Sequence, residues 1–508
     1  MSANQKRLEK ILELIDSDDL VSVRQAVELL DALGEPELWA VFVEGLSIDE
    51  SGCIVIREGC ELGWLSHRYP VALWALNRTG RLHAVTALDL SHPDPWLATV
   101  DGLEGCTNLA NLDISHGEGL TDVGALRGCP NLETLDLTHC DELQDINGLE
   151  GLKKLTTLSL AACEALENVD GLKGCDNLTT LDLSAWCNCE PEPNRSSLRC
   201  IRGLEGLANL RSLTLGGHSS PNLFSPETFR VLQSLPNLTS LCLFGGLKNV
   251  DGLKGCTNLT TFNLRYCTSL DNIDGLEGLQ KLTHVDLTGC ASLKTVDGLK
   301  GCTSLTSLDL AQCTTLENVD GLEGFTSLTS LDLSKDTSLE NVDGLKGCTS
   351  LTSLDLKGCA SLKTVDGLKG CTRFTSLDLA QGTSLENVDG LEGCTNLKTL
   401  NLRGCTSLKN VDGLKGCTNL TTLNLRYCTS LDNIDGLEGL QKLTHVDLTG
   451  CASLKTADGL QALETLEIIG LPVVQPATGD EGPTDRSSTE PSSRSANSES
   501  TPWWKFWV

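Results

Sequence analysis

The sequence predicts an α/β solenoid: a horseshoe or arc of stacked parallel strands on the concave face, short turns or 3-10 segments on the convex face, and a small helical cap at the N-terminus. Three observations predict it. A unit of the form L-x-x-L-x-L-x-x-C-x-x-L-x-x-V-D-G-L-x-G-C-x-x, as in LTSLDLKGCASLKTVDGLKGC from Leu351, returns every 23 residues. Inside it, S-L-D-L-K around Leu354 and Leu356 alternates apolar with polar, which describes a short strand buried on one face only. The return of about a dozen residues, with one Asp-Gly and a second glycine, is too short for a helix of average length.

These motifs resemble the leucine-rich repeat family, in a cysteine-containing subtype with a 23-residue repeat. The resemblance implies that each unit adds one strand and that neighbouring units cover each other's leucines. Strand cores end at Leu90, Ile114, Leu137, Leu160, Leu183, Leu215, Leu243, Leu264, Leu287, Leu310, Leu333, Leu356, Leu379, Leu402, Leu425, Leu448 and Ile468, seventeen rungs in all. A repeat array grows without adding separate cores, so 508 residues do not require three globular domains.

Residues 1–85 do not carry the repeat. Leu8, Ile11, Leu12, Leu14 and Ile15 recur at helical spacing, a second helix is expected through Val21, Val23, Ala26, Val27 and Leu30, and a third piece through Leu38, Trp39, Val41 and Phe42. This segment is read as the cap that closes the first leucine face. The array follows over residues 86–470. It is irregular at 184–264, where the rung spacing runs 32, 28 and 21 and inserted residues are expected to form loops on one face. Cys187, Cys189, Cys200 and His218 lie in that region, in no spacing that matches a standard zinc site. Beyond Gly246 the chain nearly copies itself: residues 247–299 and 408–460 differ only at Phe262 against Leu423 and Val296 against Ala457, at an offset of 161, seven times 23. Residues 471–502 are rich in Ser, Pro, Thr and Glu and are expected to be disordered. The chain ends on Trp503, Trp504, Lys505, Phe506, Trp507 and Val508, an aromatic cluster suited to docking on a partner or tethering.

The outward residue between the two strand leucines is aspartate in most rungs, including Asp286, Asp309, Asp332, Asp355, Asp378 and Asp447. Parallel strands lie about 4.8 Å apart, so these residues are expected to form a carboxylate ladder on the concave face. The formal net charge is −30, and between residues 86 and 470 there are 50 acidic against 28 basic residues. Such a field repels nucleic acid and anionic headgroups and favours a protein or basic peptide partner. A second aspartate column, Asp251, Asp274, Asp297 and their repeats, precedes the return glycine, where aspartate is expected to cap the turn amides without an ion.

Twenty-four cysteines accompany a start that is charged and lacks an apolar signal region, so they are read as reduced and the protein as cytoplasmic. Eighteen fall in two columns that elsewhere accept Leu152, Leu207, Leu279, Leu440 and Phe325, which marks them as small buried hydrophobes. No run of 18 apolar residues predicts a membrane span, and no nucleophile elbow, phosphate loop or H-E-x-x-H motif suggests catalysis. No cofactor and no metal are expected. The reading is a non-enzymatic interaction scaffold with an acidic concave face and a docking tail; the alternative is a structural spacer or a self-associating repeat protein.

Overall fold

The computed structural model describes residues 10–11, 13–14, 20–33, 46–48, 54–56, 69–91, 97–185, 197–216, 223–455, 460 and 466–470. The 184–196 and 217–222 insertions therefore lie largely outside the described residues, as do the third helical piece and the whole tail from 471 to 508. All the described residues belong to one unit, Met1–Pro472.

The N-terminal segment contains helix α1 (Leu20–Leu33), an antiparallel pair β1 (Leu46–Ile48) and β2 (Ile54–Ile56), and helix α2 (Tyr69–Arg78). Helix α1 coincides with the expected second helix. The hairpin and α2 are additions to the helical cap read from the sequence: Ile54, Val55 and Ile56 are β-branched and favour a strand, whereas Leu73, Trp74, Ala75 and Leu76 form the buried face of α2. Helix α2 packs closely on the first return, since a Cβ on Gly102 would lie 2.7 Å from the Trp74 backbone nitrogen.

From β3 (Ala87–Asp89) onward, seventeen parallel strands follow in sequence order to Glu467–Ile469. Among the described residues the first and last of them pair on one side only, so the sheet is open. Register is one rung to the next: Leu308 pairs with Leu331 and Leu331 with Leu354. Most strands are three residues long with the middle residue buried. The three around the irregular region, Thr180–Ser184, Ser212–Gly216 and Ser240–Phe244, reach five. There, helix α3 (Pro226–Gln233), capped by Ser225, takes the place of a short return, and Phe229 lies against Gly252 of the next rung.

Elsewhere the return is a single 3-10 turn, as at Asp297–Leu299, where the Leu299 N–H donates to Val296 O at 2.9 Å. Two glycines make this turn stackable. A Cβ on Gly275 would sit 1.7 Å from the Val250 carbonyl oxygen, so only a bare backbone permits adjacent rungs to approach so closely. Gly278, at φ +76°, takes the left-handed conformation that glycine adopts without penalty. The expected capping by the second aspartate column is replaced by a different arrangement. Where an asparagine stands two places earlier, it does the capping: Asn341 Oδ1 accepts from the Asp343 N–H at 3.0 Å and Asn410 Oδ1 from the Asp412 N–H at 3.1 Å. The aspartate begins the turn and pairs with the lysine that follows it, as in Lys300–Asp297 at 2.9 Å and Lys415–Asp412 at 2.9 Å. In the Asn147 rung Asp145 caps the asparagine, so the two residue types exchange roles.

The two cysteine columns are buried and free. In the first, each thiol donates across the rung to the strand carbonyl of the preceding unit: Cys290 to Leu264 O at 3.2 Å, Cys313 to Leu287 O at 3.3 Å, Cys359 to Leu333 O at 3.1 Å. Burial pushes Cys405 and Cys267 up to about 12, which keeps the thiols protonated and unreactive. Among the described residues no helix is long and apolar enough to cross a membrane.

Candidate functional site: the concave face

The concave face is built from four adjoining columns. The first is a threonine row at the strand entry, whose hydroxyls run in series: Thr306 Oγ1 donates to Thr283 O at 2.9 Å, Thr329 to Thr306 O at 2.9 Å and Thr352 to Thr329 O at 3.0 Å. Next come the serine or threonine and the aspartate that flank the buried strand leucine. Last is the residue leaving the strand, which in several rungs takes a positive φ.

Register brings five of the six singled-out aspartates into one uninterrupted run, Asp286, Asp309, Asp332, Asp355 and Asp378. Asp447 stands apart, because Asn401 and Asn424 occupy the two intervening rungs. The run has defined ends: Asn263 Nδ2 donates to Asp286 Oδ2 at 3.5 Å and Asn401 Nδ2 to Asp378 Oδ2 at 3.1 Å. Arg265 Nε also lies 3.4 Å from Asp286 Oδ2.

These carboxylates are less free than the alternation alone implies. They are half-buried, Asp447 being only 6% exposed, and each spends an oxygen on the turn that follows its strand. The N–H of Ala311 donates to Asp309 Oδ1 at 3.0 Å, that of Ser334 to Asp332 at 2.8 Å, and that of Lys357 to Asp355 at 2.8 Å. On Asp286 and Asp378 the second oxygen accepts from the flanking Asn263 and Asn401 amides, whereas on Asp332 and Asp355 the turn amide takes only Oδ1. Burial first, and the neighbouring carboxylates after it, raise Asp309 and Asp355 above the ordinary carboxylate value, against the lowering effect of the turn amides. The aspartate column thus has two tasks, closing the strand exit and charging the surface.

A cavity of about 420 Å³ opens on the same face at the other end of the array. Asp89, Asp113 and Asp136 line it together with Asn111, Thr134, Thr157 and Ser159. Between the two acidic stretches Thr214, Cys242 and Asn263 fill the aspartate position, so the ladder is broken at the long strands.

Two further features escaped sequence reasoning. Asp336 occupies the first cysteine column, between Cys313 and Cys359; it is 0% exposed, and neither carboxyl oxygen has a well-formed hydrogen bond among the described residues. The signal was legible, since L-D-L-S-K-D puts an aspartate where the unit expects cysteine. Tyr266 and Tyr427, at φ 58° and 62° on the strand exit, are exposed by 38% and 42%, with the guanidinium of Arg265 or Arg426 over the ring at 5.9 and 4.9 Å. His284 and His445 are exposed and meet the hydroxyls of Thr283 and Thr444 at 2.9 and 2.8 Å. Trp503, Trp504, Phe506 and Trp507 lie outside the described residues.

The leucine-rich repeat domain of endo-beta-N-acetylglucosaminidase EndoS supplies a family model that matches residues 372–461. A second, for leucine rich repeats in two copies, matches 130–174, 236–278 and 326–370. No curated protein matches the chain. Among solved structures, a chain of the Toll–Spatzle complex of Drosophila is similar at 18% identity and a TM-score of 0.50, covering 72% of this chain and 51% of that one. An internalin of Listeria monocytogenes, InlF, is similar at 15% identity and a TM-score of 0.36, covering 80% of this chain and 93% of that one. The functional domain of InlJ from Listeria monocytogenes, whose structure includes a cysteine ladder, is similar at 20% identity and a TM-score of 0.44, with 77% and 74% covered. The likeness to the Toll–Spatzle chain is one of fold.

Proposed function

Because this chain is a leucine-rich repeat protein, a fold that commonly serves as a protein-interaction scaffold, we propose that its concave face binds a protein partner through a basic segment. The observation that carries this reading is the bounded run Asp286, Asp309, Asp332, Asp355 and Asp378 on consecutive strands. Strands repeat at about 4.8 Å and a helix rises about 5.4 Å per turn, so a helix laid across the strands with one Lys or Arg per turn meets one carboxylate per rung. The partner is not nucleic acid, which the excess of carboxylates repels. Binding, not catalysis, is the proposed activity, and the free thiols fit a reducing, cytoplasmic setting.

The Trp503, Trp504, Phe506 and Trp507 cluster is proposed as a docking or tethering motif, on composition alone. Removing residues 503–508 is expected to change which proteins the chain retains while leaving concave-face binding intact.

The concave reading is tested by fluorescence anisotropy of a labelled helical peptide bearing one lysine per turn. The full chain is compared with a variant carrying Asp286→Asn, Asp309→Asn, Asp332→Asn and Asp355→Asn. Affinity is expected to fall by about tenfold or more and to weaken with added salt. Equal affinities with a flat salt dependence would sink the electrostatic reading and favour a structural spacer.

A further inference from the structure

The concave face changes sign beyond Asp378. On the next two strands, Thr399–Asn401 and Thr422–Asn424, asparagine takes the aspartate position. The same two rungs carry Lys398 in the strand-entry row and Arg403 and Arg426 just past the last strand leucine, with no carboxylate beside them on the concave columns. Asn401 pairs with Asn424, so Arg403 and Arg426, each two residues further on, are rooted on adjacent rungs about 4.8 Å apart.

Among the described residues these cations are unpaired. Lys398 and Arg403 are exposed, Arg426 is half-buried, and no ion pair reaches any of the three. The duplication supplies the comparison. Arg265 holds the place of Arg426 in the first copy, with Phe244 at the matching position of the preceding strand, and pairs with Asp286 at 3.4 Å. Arg426 has Arg403 at that position and makes no such pair with Asp447; its Nη2 donates to the Tyr427 hydroxyl at 3.0 Å, and its Nε is buried without a hydrogen-bond partner. Two unpaired guanidiniums on neighbouring rungs repel each other. One carboxylate that accepts from both removes the repulsion through charge-assisted hydrogen bonds.

The adjoining run keeps the opposite sign, since its five aspartates outnumber Lys335 and Lys357 at its exit edge. A ligand lying across the strands therefore meets negative charge over five rungs and positive charge over the next two. We infer that the partner segment is dipolar: its Lys or Arg side chains lie on Asp286 to Asp378, and one Asp or Glu of the same segment docks on Arg403 and Arg426. This rests on the concave-face reading and adds to it the partner's charge order. The two arginine rungs lie about 5 and 10 Å beyond Asp378, and a helix rises 1.5 Å per residue, so the acidic residue stands about three to seven residues past the last basic one. A carboxylate suits this place better than a phosphate, because the acidic surroundings oppose a second negative charge. The arginines thus set where a basic segment stops, and they reject one that continues basic over all seven rungs.

Fluorescence anisotropy on the full chain tests this with two labelled helical peptides. Each has one lysine per turn over five turns; one carries glutamate about five residues past the last lysine, the other glutamine there. The glutamate peptide is expected to bind about five- to tenfold more tightly, and on a chain carrying Arg403→Gln and Arg426→Gln the ratio is expected to fall to about one. An unchanged urea midpoint certifies the fold of that variant. Equal affinities on the full chain, or a glutamate advantage that survives the arginine substitutions, overturn the dipolar segment while leaving the carboxylate run as a binding face. Failure of both peptides to bind, or equal binding to the four-aspartate variant, overturns the concave-face reading and the dipolar segment with it.

Discussion

Asp336 is a carboxyl set into a row of thiols, 0% exposed and with no well-formed hydrogen bond to either oxygen among the described residues. Burial pushes it up to about 9, against the lowering effect of the Cys313 backbone N–H and with smaller raising contributions from Asp332 and Asp309. An acid whose folded value lies above its unfolded value of about 3.9 favours the fold fully below pH 4, and that stability is lost as pH rises toward 9. At pH 7 the accumulated cost is about 4 kcal/mol. Asp336→Cys restores the residue that Cys313 and Cys359 exemplify and is expected to stabilise the array by a few kcal/mol at neutral pH. The gain should shrink toward zero at pH 4. Urea midpoints of the two proteins at several pH values measure it, and parallel curves across that range would show that the carboxyl is not held neutral.

At the scale of the element, the 3-10 return depends on two glycines for different reasons, and substitution separates them. Gly275→Ala drives a methyl to 1.7 Å from the Val250 carbonyl oxygen and is expected to cost about 3 kcal/mol by forcing two rungs apart. Gly278→Ala meets nothing within 4 Å and is expected to cost only the left-handed conformation, about 1–2 kcal/mol. Chemical denaturation of both variants decides the order, and equal losses would show that stacking distance is not what the first glycine protects. Much of this element was legible in the chain, because the spacing of Leu354, Leu356, Val365 and Leu368 is the spacing of the buried positions. The division of labour among polar residues was not. Asn341 and Asp343 look equally able to cap a turn, and only the position of the Asp343 N–H beneath the Asn341 oxygen assigns the roles. For the same reason, alternation placed Asp309 on the concave face but could not reveal that one of its oxygens closes the turn at Ala311.

For the array of residues 86–470, the excess of acid is unevenly spread. The segment 86–246 carries 22 acidic and nine basic residues, and each duplicated segment is nearly balanced. The chain therefore has an acidic half, which includes the 420 Å³ cavity, and a second half where a short carboxylate run starts inside the first nearly neutral copy at Asp286 and ends before the second. Seventeen strands could be counted from leucines alone because every rung repeats one contact pattern. The hairpin β1–β2 and the helical form of α3 could not, since each occurs once and has no second copy to expose its pattern. The same one-neighbour bonding, in which Thr329 reaches Thr306 and Thr352 reaches Thr329 and no further, has a mechanical meaning. Pulled from its ends, the array holds at each rung by the bonds to the next rung alone, and a rung that yields frees 23 residues. Single-molecule stretching is then expected to record a saw-tooth with an increment of roughly 75 Å per rung, or whole multiples of it, in place of one large cooperative release. The protein would behave as an extensible strap that pays out in equal lengths and rewinds from any rung still closed.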